Sequence, residues 1–216
     1  MIHIKSFTFN PFSENTYILY DESGECVIID SGCSFDEEEN ELAAFISDNH
    51  LRPVRLLNTH CHIDHILGNK FVSKTYGLPL EAHENEKDNI NRADSYAAMF
   101  DMNSLETPSI TKYLNEGDIV IFGHSKLQVL FTPGHAPGHV VFYEPDQQFI
   151  IGGDVLFRDS IGRTDLPGGN YNTLIQSIHN KLFTLDENIK VYPGHGPETT
   201  IGYEKKFNPF LQEVIS

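Results

Sequence analysis

The sequence predicts an α/β protein: a sandwich of two β-sheets with helices covering its outer faces. Three observations predict it. Strand-like runs fall into two groups, an N-terminal one and a second that begins at Ile119, and helical patterns accompany each. A helix with one apolar face must bury that face against a sheet, which gives layers. Four of the strands also end in the same way, with a turn residue followed by His or Asp.

Taken in order, Ile2 to Phe9 and Thr16 to Tyr20 read as strands around the turn Asn10-Pro11-Phe12-Ser13. Glu25 to Asp30 is a third. Ser34 and Glu37 have the spacing of a capping box, and Leu42, Phe45 and Ile46 give the following helix an apolar face. Arg55 to Asn58 forms a strand, a helix runs from about Ile66 to Tyr76, and Gly77 and Pro79 stop it. Leu80 to Ala82 is a short strand. A helix from Glu84 to about Met102 rests on Ile90, Ala93, Ala97 and Phe100. Ile119 to Phe122 and Leu127 to Phe131 form a hairpin, as do His139 to Tyr143 and Gln148 to Ile151. Leu174, Ile175, Ile178 and Leu182 mark a helix capped by Asn172, and Lys190 to Tyr192 is the last strand. Asn208-Pro209 opens a final helix with Phe210, Leu211, Val214 and Ile215 inward.

The 216 residues fit one domain, residues 1–216, with a sizeable core. No apolar run reaches the roughly 18 residues of a membrane span, and Met1 to Asn10 lacks the apolar stretch of a secretory signal. Cys26, Cys33 and Cys61 are too few and too irregular for a disulfide framework, which points to the cytoplasm. A net charge of −16 argues against nucleic acid as a partner. Small anionic substrates stay open, because bound cations make a local positive site.

The densest chemistry lies in Thr59-His60-Cys61-His62-Ile63-Asp64-His65, three imidazoles and a carboxylate at a strand end. Imidazole nitrogen and carboxylate oxygen are ligands for zinc and similar divalent ions. His60 and His62, two apart, point to one side in extended backbone, whereas adjacent Asp64 and His65 diverge. The simplest geometry is two ions, with His60 and His62 on the first and Asp64 and His65 on the second. The three other strand ends deliver His135 after Gly134, Asp154 after Gly153 and His195 after Gly194. If these converge on one rim, His135 completes three imidazoles on the first ion and His195 joins the second. Asp154, with two oxygens, bridges both. Asp64 and Asp154 then also orient a metal-bridging hydroxide. His139 is read as support for the site. Arg163 and Asp165 read as a structural pair, since a guanidinium fork suits a carboxylate two residues away. His124 reads as a hairpin-turn residue, His83 as structural, and the Cys61 side chain as pointing away from His60 and His62.

The set His60-x-His62-x-Asp64-His65, His135, Asp154 and His195 resembles the ligand set of the metallo-β-lactamase-fold hydrolase superfamily. Within it the chain is similar to the short glyoxalase II-like proteins. Thr132 to His139, Gly153 to Phe157, Ser160 to Gly169, Pro193 to Pro197 and Thr200 to Gly202 all carry that likeness. The resemblance implies a four-layer αββα sandwich with two divalent metal ions at one edge of the sheets. Zinc is the foremost candidate, and iron and manganese also accept such ligands. It implies hydrolysis of anionic thioesters of the S-lactoylglutathione type, Asp30 as a supporting aspartate, and Arg158, Lys205 and Lys206 near the substrate. The helical domain that full-length glyoxalase II uses to grip glutathione has no counterpart in residues 196–216. The alternatives implied by the same likeness are an iron-dependent persulfide dioxygenase and a lactone or other ester hydrolase.

Overall fold

Successive residues of a strand point to opposite faces of its sheet, and the apolar runs of this chain supply both faces. Ile18, Ile28 and Leu56 pack in one cluster while their neighbours Leu19, Val27, Ile29 and Leu57 pack in another. On the second group of strands, Leu130, Val141 and Ile150 enter a third cluster, and Val129, Val140, Phe142, Phe149 and Ile151 join the second. Three apolar layers around two sheets require helices on the outside. The computed structural model, which describes residues 1–99 and 105–212, has that arrangement: a four-layer αββα sandwich.

The first sheet runs in the order β1 (His3–Phe9), β2 (Glu14–Tyr20), β3 (Glu25–Ile29), β4 (Arg52–Leu57), β5 (Leu80–Ala82) and β6 (Ile110–Tyr113). The first three strands are antiparallel, and β3 to β6 are parallel. Parallel neighbours need crossovers. Here α1 (Asp36–Asp48) links β3 to β4, and α2 (Asn69–Tyr76) and α3 (Lys87–Met99) precede β5 and β6. Leu42, Ile46, Val72 and Ala93 press them onto the outer face.

In the second sheet β7 (Ile119–Phe122), β8 (Ser125–Phe131), β9 (Val140–Glu144) and β10 (Phe149–Gly153) form an antiparallel meander. A two-stranded ribbon, β11 (Leu156–Phe157) and β12 (Ser160–Ile161), follows. Next come α4 (Tyr171–Ser177) and a π-helical turn over Ile178–Leu182. β13 (Lys190–Pro193) then pairs parallel to β10, with β14 (Thr199–Thr200) at the edge and α5 (Ile201–Phe207) behind it. Because β3 and β4 run parallel, as do β10 and β13, their C-terminal ends lie pairwise at one rim. A seam joins the sheets there. Asn15 N–H donates to the Gly194 carbonyl (2.7 Å), its side-chain amide to the Pro193 and Gly196 carbonyls (3.1 and 2.9 Å), and the Tyr17 hydroxyl to Pro193 (2.6 Å).

Several local expectations need correction. α1 has no capping box at Ser34 and Glu37. Phe35 holds the cap position, and Glu38 instead accepts from the Ser34 and Asn10 N–H groups, both at 2.7 Å. α2 begins at Asn69 rather than Ile66, because Ile63–His65 forms a 3₁₀ turn first. Asn170, not Asn172, caps α4, accepting from Thr173 N–H (2.9 Å). Asn208 closes α5 instead of opening a helix, and the residues to Gln212 form turns. β6, β11, β12, β14 and α5 were not expected. The anticipated helix residues Phe100 to Met102, and Val214 and Ile215, lie outside the described residues.

Asp21, 3% exposed, clips the β2–β3 turn to the β7–β8 hairpin. It accepts from Ser23 N–H (2.9 Å) and hydroxyl (2.5 Å), His124 N–H (2.8 Å) and the Ser125 hydroxyl (2.7 Å). Burial alone would raise its pKa, but these donors outweigh it and hold the carboxyl well below the usual range. A depressed folded-state pKa stabilises the fold above the unfolded value of about 3.9 and loses that contribution as pH falls. Asp21→Asn should therefore lower stability at pH 7 by about 2–3 kcal/mol and flatten the acid side of the stability profile. Denaturant titrations from pH 3 to 7 check this, and parallel wild-type and variant curves over that range would refute it.

Candidate metal centre

The strand ends bring the seven His and Asp residues together at the rim. His60, His62 and His135 form one group and Asp64, His65 and His195 another, with the ligand-type atoms of each within 4.8 Å of one another. In the first group His62 Nδ1 and His60 Nε2 lie 2.9 and 3.2 Å from His135 Nε2. Nitrogens held tetrahedrally at about 2.0–2.1 Å from an ion sit about 3.3 Å apart, so this spacing fits a divalent cation. In the second group Asp64 Oδ2 is 3.1 Å from His195 Nε2 and 3.7 Å from His65 Nε2. Asp154 lies between the two. Its Oδ2 is 3.6 Å from His135 Nε2, while Oδ1 is 3.5 Å from His65 Nε2 and 3.0 Å from His195 Nδ1.

The donor set passes a second test of fit. His65 is fully buried; its Nδ1 faces Asp30 Oδ2 at 3.1 Å, while its Nε2 makes no hydrogen bond. A buried, unpartnered nitrogen is costly, and a cation beside Nε2 would satisfy it. Burial and the neighbouring imidazoles depress His60, and burial carries His62 down to about 3 and His135 below its usual value. Neutral rings keep their lone pairs for a metal. His65 and His195 go the other way: burial is outweighed by Asp64 and Asp154, and His195 rises to about 9.

A third group, Asp30 with His60 and His65, also has close donor atoms, but the oxygens of Asp30 are already engaged. Oδ1 accepts from Thr59 N–H (2.7 Å) and the Asn58 amide (3.2 Å), and Oδ2 from the Thr59 hydroxyl (2.6 Å). Oδ2 is also 3.1 Å from His65 Nδ1. Asp30, with φ of 53°, thus anchors the start of the motif and faces the inner side of the His65 ring. His139 accepts the Asp154 N–H at Nε2 (3.0 Å), and its Nδ1 lies 3.1 Å from the Thr132 hydroxyl. Gly153 combines φ of 49° with no room for a side chain, since a Cβ there would meet Thr59 Oγ1 at 2.4 Å. Gly194 is needed for space alone: a Cβ would lie 2.2 Å from Asp154 Oδ1.

Both groups open into one cavity of about 510 Å³. Arg163 reaches its wall, held by a two-bond fork to Asp165 (2.8 and 2.7 Å), while its carbonyl lies 2.7 Å from His135 Nδ1. Arg158, Lys205 and Lys206, which the family resemblance implied to lie near the substrate, line no part of this cavity. Arg158 lies over Tyr203, Lys206 over Phe207, and Lys205 pairs with Glu187 (3.3 Å). His124 sits in the β7–β8 turn, and His83 starts a 3₁₀ turn and stacks on Phe131; neither is in a His/Asp group. Cys61 is buried in the outer core, yet it also reaches the lining of the same cavity, which the sequence reading did not anticipate.

Sequence reasoning missed the residues that hold the loops in place. Glu86 accepts from Cys61 N–H (2.7 Å) and Gly138 N–H (2.6 Å), joining the first motif to the His135–His139 loop. Asn10 donates to the carbonyls of Gly32 and Asp64, and Asn58 to that of His65. Only Asn58, directly before the motif, had a local signal.

If the Arg163–Asp165 pair only fixes this loop, Arg163→Ala and Asp165→Ala should cause the same small loss of kcat/KM, and the double variant should be no worse than either. Steady-state kinetics on all three test this. A raised KM in Arg163→Ala alone would mean that the guanidinium grips substrate.

A sandwich that carries this His/Asp set at the shared edge of its sheets defines a class, and the chain belongs to it: the metallo-beta-lactamase superfamily model matches residues 9–195. Among curated relatives it is 40% identical over 202 residues to "Probable metallo-hydrolase YqgX" of Bacillus subtilis, covering 93% of each chain. It is 35% identical over 213 residues to "Hydroxyacylglutathione hydrolase GloC" of Haemophilus influenzae, covering 97% of this chain and 98% of that one. Of solved structures, BLEG-1 B3 metallo-beta-lactamase superposes with a TM-score of 0.87 at 35% identity, covering 97% of this chain and all of that one. TTHA1623 in a di-iron-bound form gives 0.85 at 36%, covering 96% of this chain and all of that one.

Proposed function

We propose that the chain is a dinuclear metal-dependent hydrolase of thioesters, of the hydroxyacylglutathione type, with weak selectivity for the glutathione part. The observation that carries this reading is Asp154, whose two oxygens face the two donor groups within one cavity. Similarity to GloC supports the thioester class. His60, His62 and His135 would hold one ion and Asp64, His65 and His195 the other, with Asp154 shared. Two such ions supply an activated water near neutral pH and a Lewis acid for the carbonyl oxygen. The carboxylates of Asp64 and Asp154 accept hydrogen bonds and so orient the attacking water. The leaving thiol, with a pKa near 8.5, needs no protein acid.

Among the described residues the cavity lining holds one thiol, Cys61, which is buried and pushed well up by that burial, so it stays protonated and leaves the attack to water. Zinc is our first assignment, and the di-iron form of TTHA1623 keeps iron beside it. All three cysteines are buried and unpaired, in keeping with a reducing cytoplasm. No helix among the described residues is long and apolar enough to cross a membrane.

The test is metal analysis of protein purified without added metal, followed by kinetics on lactoyl thioesters of glutathione and of a small neutral thiol. Weak selectivity fits the cavity wall, where the one Lys or Arg side chain among the described residues, Arg163, is already held by Asp165. Comparable kcat/KM values are expected. A preference for glutathione above roughly a hundredfold, near 2.7 kcal/mol in the transition state, would overturn the selectivity claim.

A further inference from the structure

Beside the His/Asp groups much of the cavity wall is apolar, and four segments build it, the first being the β1–β2 turn with Phe12. The 3₁₀ turn after β4 contributes Ile63, α3 contributes Ala93 and Tyr96, and the loop after Arg163 contributes Leu166 and Pro167. Asn89, Ala93 and Tyr96 of α3 are four and three residues apart and share one helix face, on which the Asn89 amide is occupied by donating to Glu86 (2.8 Å). A turn closed by Gly169 N–H on the Leu166 carbonyl (2.8 Å) carries Leu166 and Pro167, which belong to the cavity lining. Apart from the histidines, Arg163 is the only cationic side chain on this wall among the described residues, and Asp165 occupies its fork. A cavity of about 510 Å³ is the size that takes a small organic ligand.

Resting on the thioester reading above, we propose that this wall is a slot for an apolar chain or ring on one arm of the thioester. The preferred substrate then carries a medium-length apolar arm and no anionic groups beyond the reacting centre. A polyanionic thiol gains nothing from this wall, whereas each methylene buried against it gains up to about fourfold in affinity. Lactoyl thioesters are accepted by the same centre but leave the slot unfilled.

Binding and turnover separate the two proposals. Unreactive thioethers of N-acetylcysteamine, with S-alkyl groups from methyl to hexyl, are titrated calorimetrically into the purified chain. The hexyl compound should bind at least about tenfold tighter than the methyl one, with a negative heat-capacity change. S-hexylglutathione should bind no tighter than the hexyl N-acetylcysteamine compound. Tyr96→Ala and Leu166→Ala, checked for unchanged melting temperature, should each cut the hexyl-to-methyl ratio by about threefold or more. Equal affinity along the alkyl series overturns the slot, as does a ratio untouched by both variants. Turnover of acetyl and hexanoyl thioesters completes the test. If both are cleaved at equal kcat/KM the slot is wrong and the hydrolase stands. If neither is cleaved while the alkyl series still climbs, the thioester reading is wrong and the apolar slot stands.

Discussion

Asp154→Ala should bind about one divalent ion where the wild type binds two, and should lose at least about a hundredfold in kcat/KM. Loss of a partner that merely orients a ligand already costs about 10–100-fold, and Asp154 faces both donor groups directly, with distances of 3.0 to 3.6 Å to three histidines. Asp154→Asn tells charge from shape. It keeps the volume but removes the negative charge that burial would oppose and that His65, His195 and His135 stabilise. The matched control is His124→Ala, which should change neither metal content nor rate. Its link to the fold is a backbone N–H donated to Asp21, which the substitution leaves in place. Metal analysis with kinetics on the same preparations decides the matter. A fully active Asp154→Ala protein carrying two ions would remove the basis of the ligand assignment.

Glu86→Ala should have the largest effect of any residue outside the seven. Burial pushes the Glu86 carboxyl up in pKa, against three donors that favour its charged form: the Asn89 amide and the N–H groups of Cys61 and Gly138. Removing it orphans two buried backbone donors, at about 1–3 kcal/mol each. The expected loss of stability is about 2–5 kcal/mol. The same two donors lie beside His60 and His62 in one loop and His139 in the other. Metal affinity should therefore weaken by about 10–100-fold. Glu86→Gln should fall between, because an amide presents one oxygen and so satisfies one donor while its NH₂ opposes the other. Denaturant unfolding and competition with a chelator read the two effects separately. If Glu86→Ala binds metal as tightly as wild type, Glu86 only supports the fold.

The contrast between Asp154 and Glu86 shows what the sequence makes legible. Asp154 belongs to a local pattern, an apolar strand followed by glycine and a metal-type side chain, and the same pattern led to His135 and His195. The pairing of strand-end residues into two groups followed from the opposed directions of neighbouring side chains and from the two oxygens of a carboxylate. Glu86 binds partners 25 and 52 residues away, and nothing in the neighbouring sequence records that reach. The missed secondary structure has similar causes. β6 buries only Ile110 of its four residues, so it shows no alternation. α5 buries Ile201 and Glu204, and a buried glutamate reads in sequence as a surface residue. Glu204 is satisfied by the Thr199 hydroxyl, the Asn208 amide and Asp159 N–H, of which Asp159 is remote. Asn208-Pro209 has the composition of a helix start as well as of a helix end, and only the preceding turn decides between them.

The seam at Asn15 has a consequence for how such a protein can diversify. It fixes the end of β13 to β2 through backbone carbonyls, so it depends little on which side chains β13 carries. The seven His and Asp residues hang from sheets that are thereby locked in register. Tyr96, Leu166 and Pro167 instead belong to segments attached outside those sheets. Chemistry and taste are thus inherited separately. An insertion or exchange in α3 or in the loop after Arg163 reshapes what enters the cavity and leaves the reacting centre where it was, so a lineage, or an engineer, can explore new substrates without first dismantling the catalyst.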